Sequence, residues 1–102
     1  MKITWSPLAI ERIQEISDYI QQDSPGAAEK FVEAIFSEAQ RLKDFPNLGR
    51  KIPDFPNLPY RELLFENYRI IYRSGDSEVV VISIRHQKQL LPIEEVRGSA
   101  KI

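Results

Sequence analysis

The residues of this sequence best suited to chemistry are cations in its most strand-prone stretch. Residues 67–87, NYRIIYRSGDSEVVVISIRHQ, contain two apolar runs that carry Arg69, Arg73, Arg85 and the only histidine, His86. A guanidinium offers a planar fork of donors that suits phosphate or carboxylate. An imidazole, with an unperturbed pKa of about 6.5, suits proton transfer. These residue types indicate either an anion site on a sheet or ordinary residues of a solvent-facing surface.

Side-chain alternation along the strands predicts which cations could share a face of the sheet. It groups Arg61 with Leu63 and Phe65, Arg69 with Ile71 and Arg73, and Arg85 with Val79, Val81 and Ser83. If these three sets share one face, the arginines converge there, and Arg50 and Lys51 from the preceding loop join them as further binding residues. The alternative is that each arginine pairs with a nearby acid, for which the candidates are Glu62, Glu66 and Asp76.

Two helices come before these strands. Ser6-Pro7 and Ser24-Pro25 are each a capping residue followed by a proline at the first helical position. Apolar residues then recur at helical spacing, at positions 9, 13, 16 and 20 in the first segment and 28, 31, 35, 39 and 42 in the second. The short link between the two segments predicts an antiparallel helical hairpin.

The strand pattern completes an α+β domain. We predict strands at 2–5, 60–65, 68–73 and 78–85, the last three joined by tight turns into an antiparallel meander. The order is β-α-α-β-β-β, an antiparallel sheet packed against the hairpin, in a single domain spanning 1–102. The tail, residues 87–102, is expected to fold back over a face or an edge of the sheet, or to await a partner. Pro92 prevents one continuous helix there.

A proline-rich segment, FPNLGRKIPDFPNLP, lies between the helices and the meander. Its four prolines and Gly49 exclude a helix or a central strand, and a loop of this length in a small domain is often functional. We expect its apolar residues to anchor it to the core: Phe45, Leu48, Phe55 and Leu58. Anchored in this way, the loop would hold Arg50 and Lys51 at a defined place.

Composition excludes several function classes. The 102 residues include no cysteine and one histidine, which removes thiolate chemistry and the usual zinc and iron–sulfur sites, so we expect no metal and no cofactor. A net charge of −1 argues against a general nucleic-acid coating protein. No signal peptide or membrane span is evident, which favours a cytoplasmic location by elimination. No phosphate-binding glycine loop and no nucleophile elbow occur.

The segment RELLFENYRIIYRSGDSEVVVISIRHQKQ resembles the signature of the ParE/RelE toxins of bacterial type II toxin–antitoxin modules, also called plasmid stabilisation proteins. The resemblance extends upstream to WSPLAIERIQEISDYI, AAEKFVEAI and LKDFPNLGRKIP, and ends near Gln89. It implies a small toxin neutralised by a cognate antitoxin. RelE-like members cut messenger RNA on the ribosome, and ParE-like members poison DNA gyrase.

Under the RelE-like alternative, the resemblance assigns catalytic roles to Arg61, Arg69, Arg85 and His86. The arginines would hold the scissile phosphate and the histidine would move protons. The tail has no tyrosine after His86, and the composition lacks a strongly basic excess. We therefore expect a ParE-like protein that binds gyrase rather than an enzyme. A member that only binds its antitoxin is a third possibility.

The antitoxin is expected to cover the helical hairpin and an exposed sheet edge. Val32 and Phe36 lie beside the main apolar stripe and could receive an amphipathic segment. The alternative is that both side chains simply widen the core of the domain.

Overall fold

The computed structural model describes residues 1–99 and confirms the α+β class. As predicted, two helices are followed by a meander of strands. The structure also contains two elements that were not predicted, a short strand in the proline-rich loop and a third helix near the C-terminal end. The elements are β1 (Lys2–Trp5), α1 (Pro7–Gln21), α2 (Pro25–Gln40), a 3₁₀ turn (Arg41–Lys43), β2 (Arg50–Lys51), β3 (Arg61–Phe65), β4 (Tyr68–Ser74), β5 (Glu78–His86) and α3 (Ile93–Ser99). Within residues 1–99, every helix is too short or too polar to cross a bilayer.

Both predicted helix starts are confirmed. The Ser6 hydroxyl accepts a hydrogen bond from the Ala9 amide at 3.1 Å, and Ser24 does the same for the Ala27 amide at 3.3 Å. Ser6 also donates to the Ile82 carbonyl at 2.8 Å. Its cap therefore fixes the start of α1 against the sheet.

The sheet has five strands in the order β1-β5-β4-β3-β2. The meander of β3, β4 and β5 is antiparallel as predicted. The sheet as a whole is mixed rather than antiparallel, because β1 pairs with β5 in parallel. The hairpin and strands β2 to β4 lie between β1 and β5 in the chain, and they supply the long connection that a parallel pair requires.

Each face of the sheet has its own apolar core. The hairpin covers one face, where Phe31 and Ile35 pack on Ile70 and Val81. We call this the hairpin face. The opposite face, which we call the tail face, is covered by the proline-rich loop and the C-terminal segment. The core on this face includes the buried residues Ile52, Tyr60, Leu91 and Val96.

The predicted tail divides into a described part and three final residues, 100–102, which lie outside the described residues. The chain does fold back over the sheet, and α3 begins directly after Pro92. Leu91 is 3% exposed and Val96 is fully buried. The tail segment therefore completes the second core of the domain.

The proline-rich loop is anchored by half of the predicted residues. Phe55 and Leu58 pack against the tail-face core. Phe45 and Leu48 are 64% and 39% exposed, so the prediction that they anchor the loop is wrong. The reason is that Tyr72 fixes this part of the loop instead, since its hydroxyl donates to the Pro46 carbonyl at 2.7 Å.

Gly49 lies where no side chain fits. Its amide donates to the Tyr72 hydroxyl at 2.9 Å, and a Cβ built on it would lie 2.5 Å from the Glu62 carbonyl oxygen and 2.8 Å from a Tyr72 ring carbon. The backbone of β3 is one of these two obstacles, so a rotamer change cannot relieve the clash. Close approach of the chain to β3 explains the glycine in NLGR.

Gly49→Ala is therefore expected to lower the free energy of unfolding by about 1–3 kcal/mol, the usual cost of forcing extra atoms into a packed site. Urea unfolding measures it. Gly26→Ala is the matched control, because a Cβ there meets nothing within 4 Å and a helix favours alanine. Equal midpoints for the two variants would contradict the predicted clash.

Candidate functional site

The predicted convergence of three arginines on one face is wrong for Arg61. Arg61 pairs with Tyr72 across β3 and β4, on the hairpin face, whereas Arg69 and Arg85 are directly opposite each other across β4 and β5, on the tail face. β5 contains a bulge, because Tyr72 pairs with Val81 whereas Ile71 pairs with Ser83, which leaves one residue of β5 unpaired.

The bulge also corrects the set assigned to Arg85. Val79 and Val81 point into the hairpin-face core, but Ser83 and Arg85 point to the tail face. Simple alternation predicts that all four side chains lie on one face. The extra residue, Ile82, shifts the alternation, so the side chains after it point to the opposite face from the one predicted.

Arg69 lies at the centre of a buried ion-pair network. The residue is 5% exposed, and its Nε donates to the Glu62 carboxylate at 2.6 Å. A second nitrogen pairs with Asp54, and a third donates to the Gln89 carbonyl at 3.0 Å. Glu62 is 1% exposed and also accepts from Arg50 Nε at 2.8 Å. The donors of Arg69 are thus engaged by two internal carboxylates and the chain itself.

Asp54 links this network to the tail. Its second oxygen accepts the Leu91 amide at 3.1 Å. Burial alone would raise the pKa of Asp54, but the hydrogen bonds from Arg69 and from the Leu91 amide hold it below its ordinary value. Asp54 is therefore an ionised link between the proline-rich loop, β4 and the C-terminal segment.

Arg85 belongs to a second network, centred on Glu95 of α3. Glu95 is 8% exposed and accepts from Arg85 Nε at 3.0 Å, from Arg12 at 2.6 Å and from the Ser83 hydroxyl at 3.1 Å. Burial alone would raise the pKa of Glu95, but the hydrogen bonds from Arg85 and Arg12 outweigh it and lower the pKa below its ordinary value.

The remaining predicted binding residues are dispersed. Arg61 donates to the Gly49 carbonyl at 2.9 Å, on the face away from Arg69. Lys51 is exposed and pairs with Arg61 across β2 and β3. Arg73 lies on the tail face opposite Val80, with a buried Nε that has no partner within residues 1–99. Of the predicted cations, Arg50 and Arg69 share one carboxylate, that of Glu62.

His86 lies at the end of β5 on the hairpin face. Its ring is 6.0 Å from that of Tyr68, edge to face, and its Nδ1 accepts the Lys88 amide at 3.2 Å. A hollow of about 350 Å³ opens beside the two rings, next to Ile16 and Tyr19 of α1. Burial, and then the charge of Glu66, raise the pKa of Tyr68. His86 thus faces an aromatic surface, and the sheet separates it from Arg69 and Arg85.

Sequence reasoning named one of the acids that neutralise the arginines and missed two. Glu62 was a candidate partner, and it is confirmed, whereas Glu66 and Asp76 form no ion pair within residues 1–99. Asp54 and Glu95 were not identified. They lie 15 residues before Arg69 and 10 residues after Arg85, and no local pattern indicates that the chain returns there.

Comparison with known proteins identifies the family of this chain. The family described as ParE toxin of type II toxin-antitoxin system, parDE, matches residues 3–91. A Sinorhizobium fredii protein, Y4kP, a candidate toxin by its name, is 34% identical over 92 residues, 85% of this chain and 91% of its own length. Toxin RelE2 of Caulobacter vibrioides is 31% identical over 90 residues, 87% of this chain and 98% of its own length.

A solved structure shares the fold. The chain described as the chromosomal ParDE TA system from P. aeruginosa superposes with a TM-score of 0.70 at 24% identity, over 84% of this chain and 95% of that one. The family match ends at Leu91, just before α3, and takes in the strands, the hairpin and the proline-rich loop. This chain therefore belongs to the ParE toxin family of type II toxin–antitoxin systems.

Proposed function

We propose that this toxin inhibits growth by binding a protein target, DNA gyrase, and not by cleaving RNA. The observation that carries the proposal is the internal neutralisation of the tail-face arginines. Arg69 is held by Glu62 and Asp54, and Arg85 by Glu95. Because gyrase acts on DNA in the bacterial cytoplasm, the proposal places the toxin there.

A phosphate-handling site needs donors that are free when the substrate arrives. Transition-state stabilisation by an arginine requires its guanidinium to be aimed at the position where charge develops. Here a phosphate would have to displace buried carboxylates from Arg69 and Arg85, and a net charge of −1 offers little general attraction to RNA. Catalytic roles for Arg61, Arg69, Arg85 and His86 stay a prediction of the RelE-like alternative.

We further propose that a cognate antitoxin neutralises the toxin by covering the hairpin. A hollow of about 470 Å³ runs between α1 and α2, and Ala28 and Val32 form its apolar floor. Phe36, the other residue suggested for this contact, packs on Trp5 with ring centroids 4.4 Å apart. Both side chains also pack against the hairpin-face core, but Val32 alone of the two lines the hollow, so it is the better candidate for a contact with the antitoxin.

A supercoiling assay tests the gyrase proposal. Purified toxin is expected to inhibit supercoiling by gyrase in a dose-dependent way, and an equimolar amount of its cognate antitoxin is expected to restore the activity. In cells, induction should produce filaments and a DNA-damage response while messages stay intact. Uninhibited gyrase in the presence of folded toxin would refute the proposal.

Primer extension on messages from induced cells tests the RNA alternative. Cuts in phase with codons would establish cleavage, and His86→Gln is then the informative variant because His86 lies at the surface beside a hollow. Arg69→Ala is a poor probe, since it leaves Asp54 without a charge partner and Glu62 with Arg50 alone, and so threatens the fold. Normal growth with folded protein would indicate a member that only binds its antitoxin.

A further inference from the structure

We propose that the toxin docks on its protein target through the first Phe-Pro-Asn-Leu turn, residues 45–48, which we call the FPNL turn. Phe45 and Leu48 would enter an apolar pocket whose rim is acidic. The proposal rests on the proposed function in one respect, that the toxin acts by binding a protein. Three observations support it: the exposure of the turn, its attachment to the sheet and the charges around it.

The sequence Phe-Pro-Asn-Leu occurs twice, at 45–48 and 55–58, and the same hydrogen bond closes both turns. The Leu48 amide donates to the Phe45 carbonyl at 3.0 Å, and the Leu58 amide donates to the Phe55 carbonyl at 3.1 Å. Phe55 and Leu58 pack against the tail-face core, whereas Phe45 is 64% exposed and Leu48 is 39% exposed. Because the same four residues pack inward in the second copy, local sequence does not explain the exposure of the first.

The FPNL turn is attached to the sheet through its backbone. The fully buried Tyr72 donates its hydroxyl to the Pro46 carbonyl at 2.7 Å and accepts the Gly49 amide at 2.9 Å. Arg61 donates to the Gly49 carbonyl at 2.9 Å, and the ring of Pro46 fixes one backbone dihedral. A partner would therefore meet the two apolar side chains on a preorganised backbone, which lowers the entropic cost of binding.

Cations flank the FPNL turn on both sides. The exposed Lys43 precedes it, Arg61 contacts its C-terminal end, and the exposed Lys51 lies directly opposite Arg61 across β2 and β3. In the part of the chain that the structure describes, these three side chains form no ion pair. Asp44, also exposed, is a carboxylate in the same segment, but the cations outnumber it. The complementary surface of a partner is therefore acidic.

These features fit a protein pocket better than a nucleic acid. In protein interfaces, a large apolar side chain commonly fills a pocket while polar contacts around it exclude water. Nucleic acid would satisfy the cations, but the aliphatic side chain of Leu48 offers no ring for a base to stack on. The FPNL turn also lies outside the hollow between α1 and α2, where we propose that the antitoxin binds. Mutations can therefore separate the two contacts.

Supercoiling by purified gyrase, with the full-length toxin added, tests the apolar contact. Phe45→Ser with Leu48→Ser is expected to raise the toxin concentration for half-inhibition by about tenfold or more, as for a hot spot. Affinity for the cognate antitoxin should stay within about twofold, which shows that the variant folds. Leu64→Ser with Leu90→Ser is the matched control, because it makes the same change at exposed leucines of the tail face and should leave inhibition unchanged. Phe45→Ser alone serves if the double variant fails to fold.

Charge reversal tests the acidic rim in the same assay. Lys43→Glu with Lys51→Glu places carboxylates on both sides of the FPNL turn, and it is expected to weaken inhibition by about tenfold or more, since like charges would then face each other. Lys30→Glu with Lys88→Glu makes the same change in net charge at exposed sites on α2 and the C-terminal segment. We expect this control pair to inhibit as well as the wild type.

Growth arrest on induction separates this proposal from the choice of gyrase. If the toxin arrests growth while purified gyrase stays active, gyrase is the wrong target, and the same variants are then compared by growth arrest. Full potency of the Phe45 and Leu48 variant, or equal weakening by a test pair and its control, would overturn the docking role and leave gyrase as the target. Lost antitoxin binding, a wild-type dimer that the variant dissociates, or no arrest by folded wild type would also overturn it.

Discussion

Glu62→Gln is expected to lower the free energy of unfolding by about 3–5 kcal/mol, a large part of the 5–15 kcal/mol typical of a domain. The Glu62 side chain is fully buried and compensates the guanidinium of Arg69, itself 5% exposed. The amide keeps the shape of the side chain but removes the charge. Urea unfolding at neutral pH measures the loss.

Glu66→Gln is the matched control for this substitution. It is the same chemical change in the turn that follows β3, at an exposed residue that forms no ion pair within residues 1–99. We expect a change within about 0.5 kcal/mol. If the two substitutions cost the same, the Glu62 carboxylate is not what balances the buried arginine.

A double-mutant cycle separates the charge interaction from general damage at the site. Arg69→Gln alone leaves Asp54 without a charge partner and Glu62 with Arg50 alone. Combined with Glu62→Gln, it should cost at least 1 kcal/mol less than the sum of the two single variants, since interacting charges are coupled. Additive costs would show that the two side chains do not stabilise each other.

Glu95→Gln is expected to cost a similar amount, about 3–5 kcal/mol, and to loosen α3. Glu95 is the shared acceptor of Arg12, Ser83 and Arg85, so removing its charge leaves Arg85 uncompensated and Arg12 with only the more exposed Glu15. Amide hydrogen exchange should increase most in α3 if the helix opens before the whole domain unfolds. Glu94→Gln, at the neighbouring and more exposed position, is the control and should change little.

The same carboxylate gives stability a defined pH dependence. The pKa of Glu95 is lowered by folding, so its contribution is present above the unfolded value of about 4.3 and is lost as the pH falls through the lower folded value. Asp54 acts in the same direction. Wild-type stability should therefore fall as the pH drops below about 5, and more shallowly in Glu95→Gln. Parallel pH profiles for the two proteins would contradict this assignment.

Local patterns determined the elements of this protein. The Ser-Pro caps, the apolar stripes of the hairpin and the tight turns of the meander depend on residues a few positions apart, and their predictions are confirmed. Boundaries moved by a residue at some strand ends, and β2 was missed because two residues carry no periodicity. The resemblance to the toxin family also depended on short segments in order, and the family match confirms it.

The tertiary structure decided what the arginines face. A bulge at Ile82 reversed which face of the sheet the later side chains of β5 point to. The mostly apolar run 79–84 has no alternation from which the bulge could be predicted. Asp54 lies in the proline-rich loop, and Glu95 lies in α3, which follows the segment matched by the family. Ion pairs between segments this far apart in sequence are determined by the tertiary structure. Sequence alone therefore determined which family this protein belongs to, and the packed chain determined that its buried arginines bind its own carboxylates.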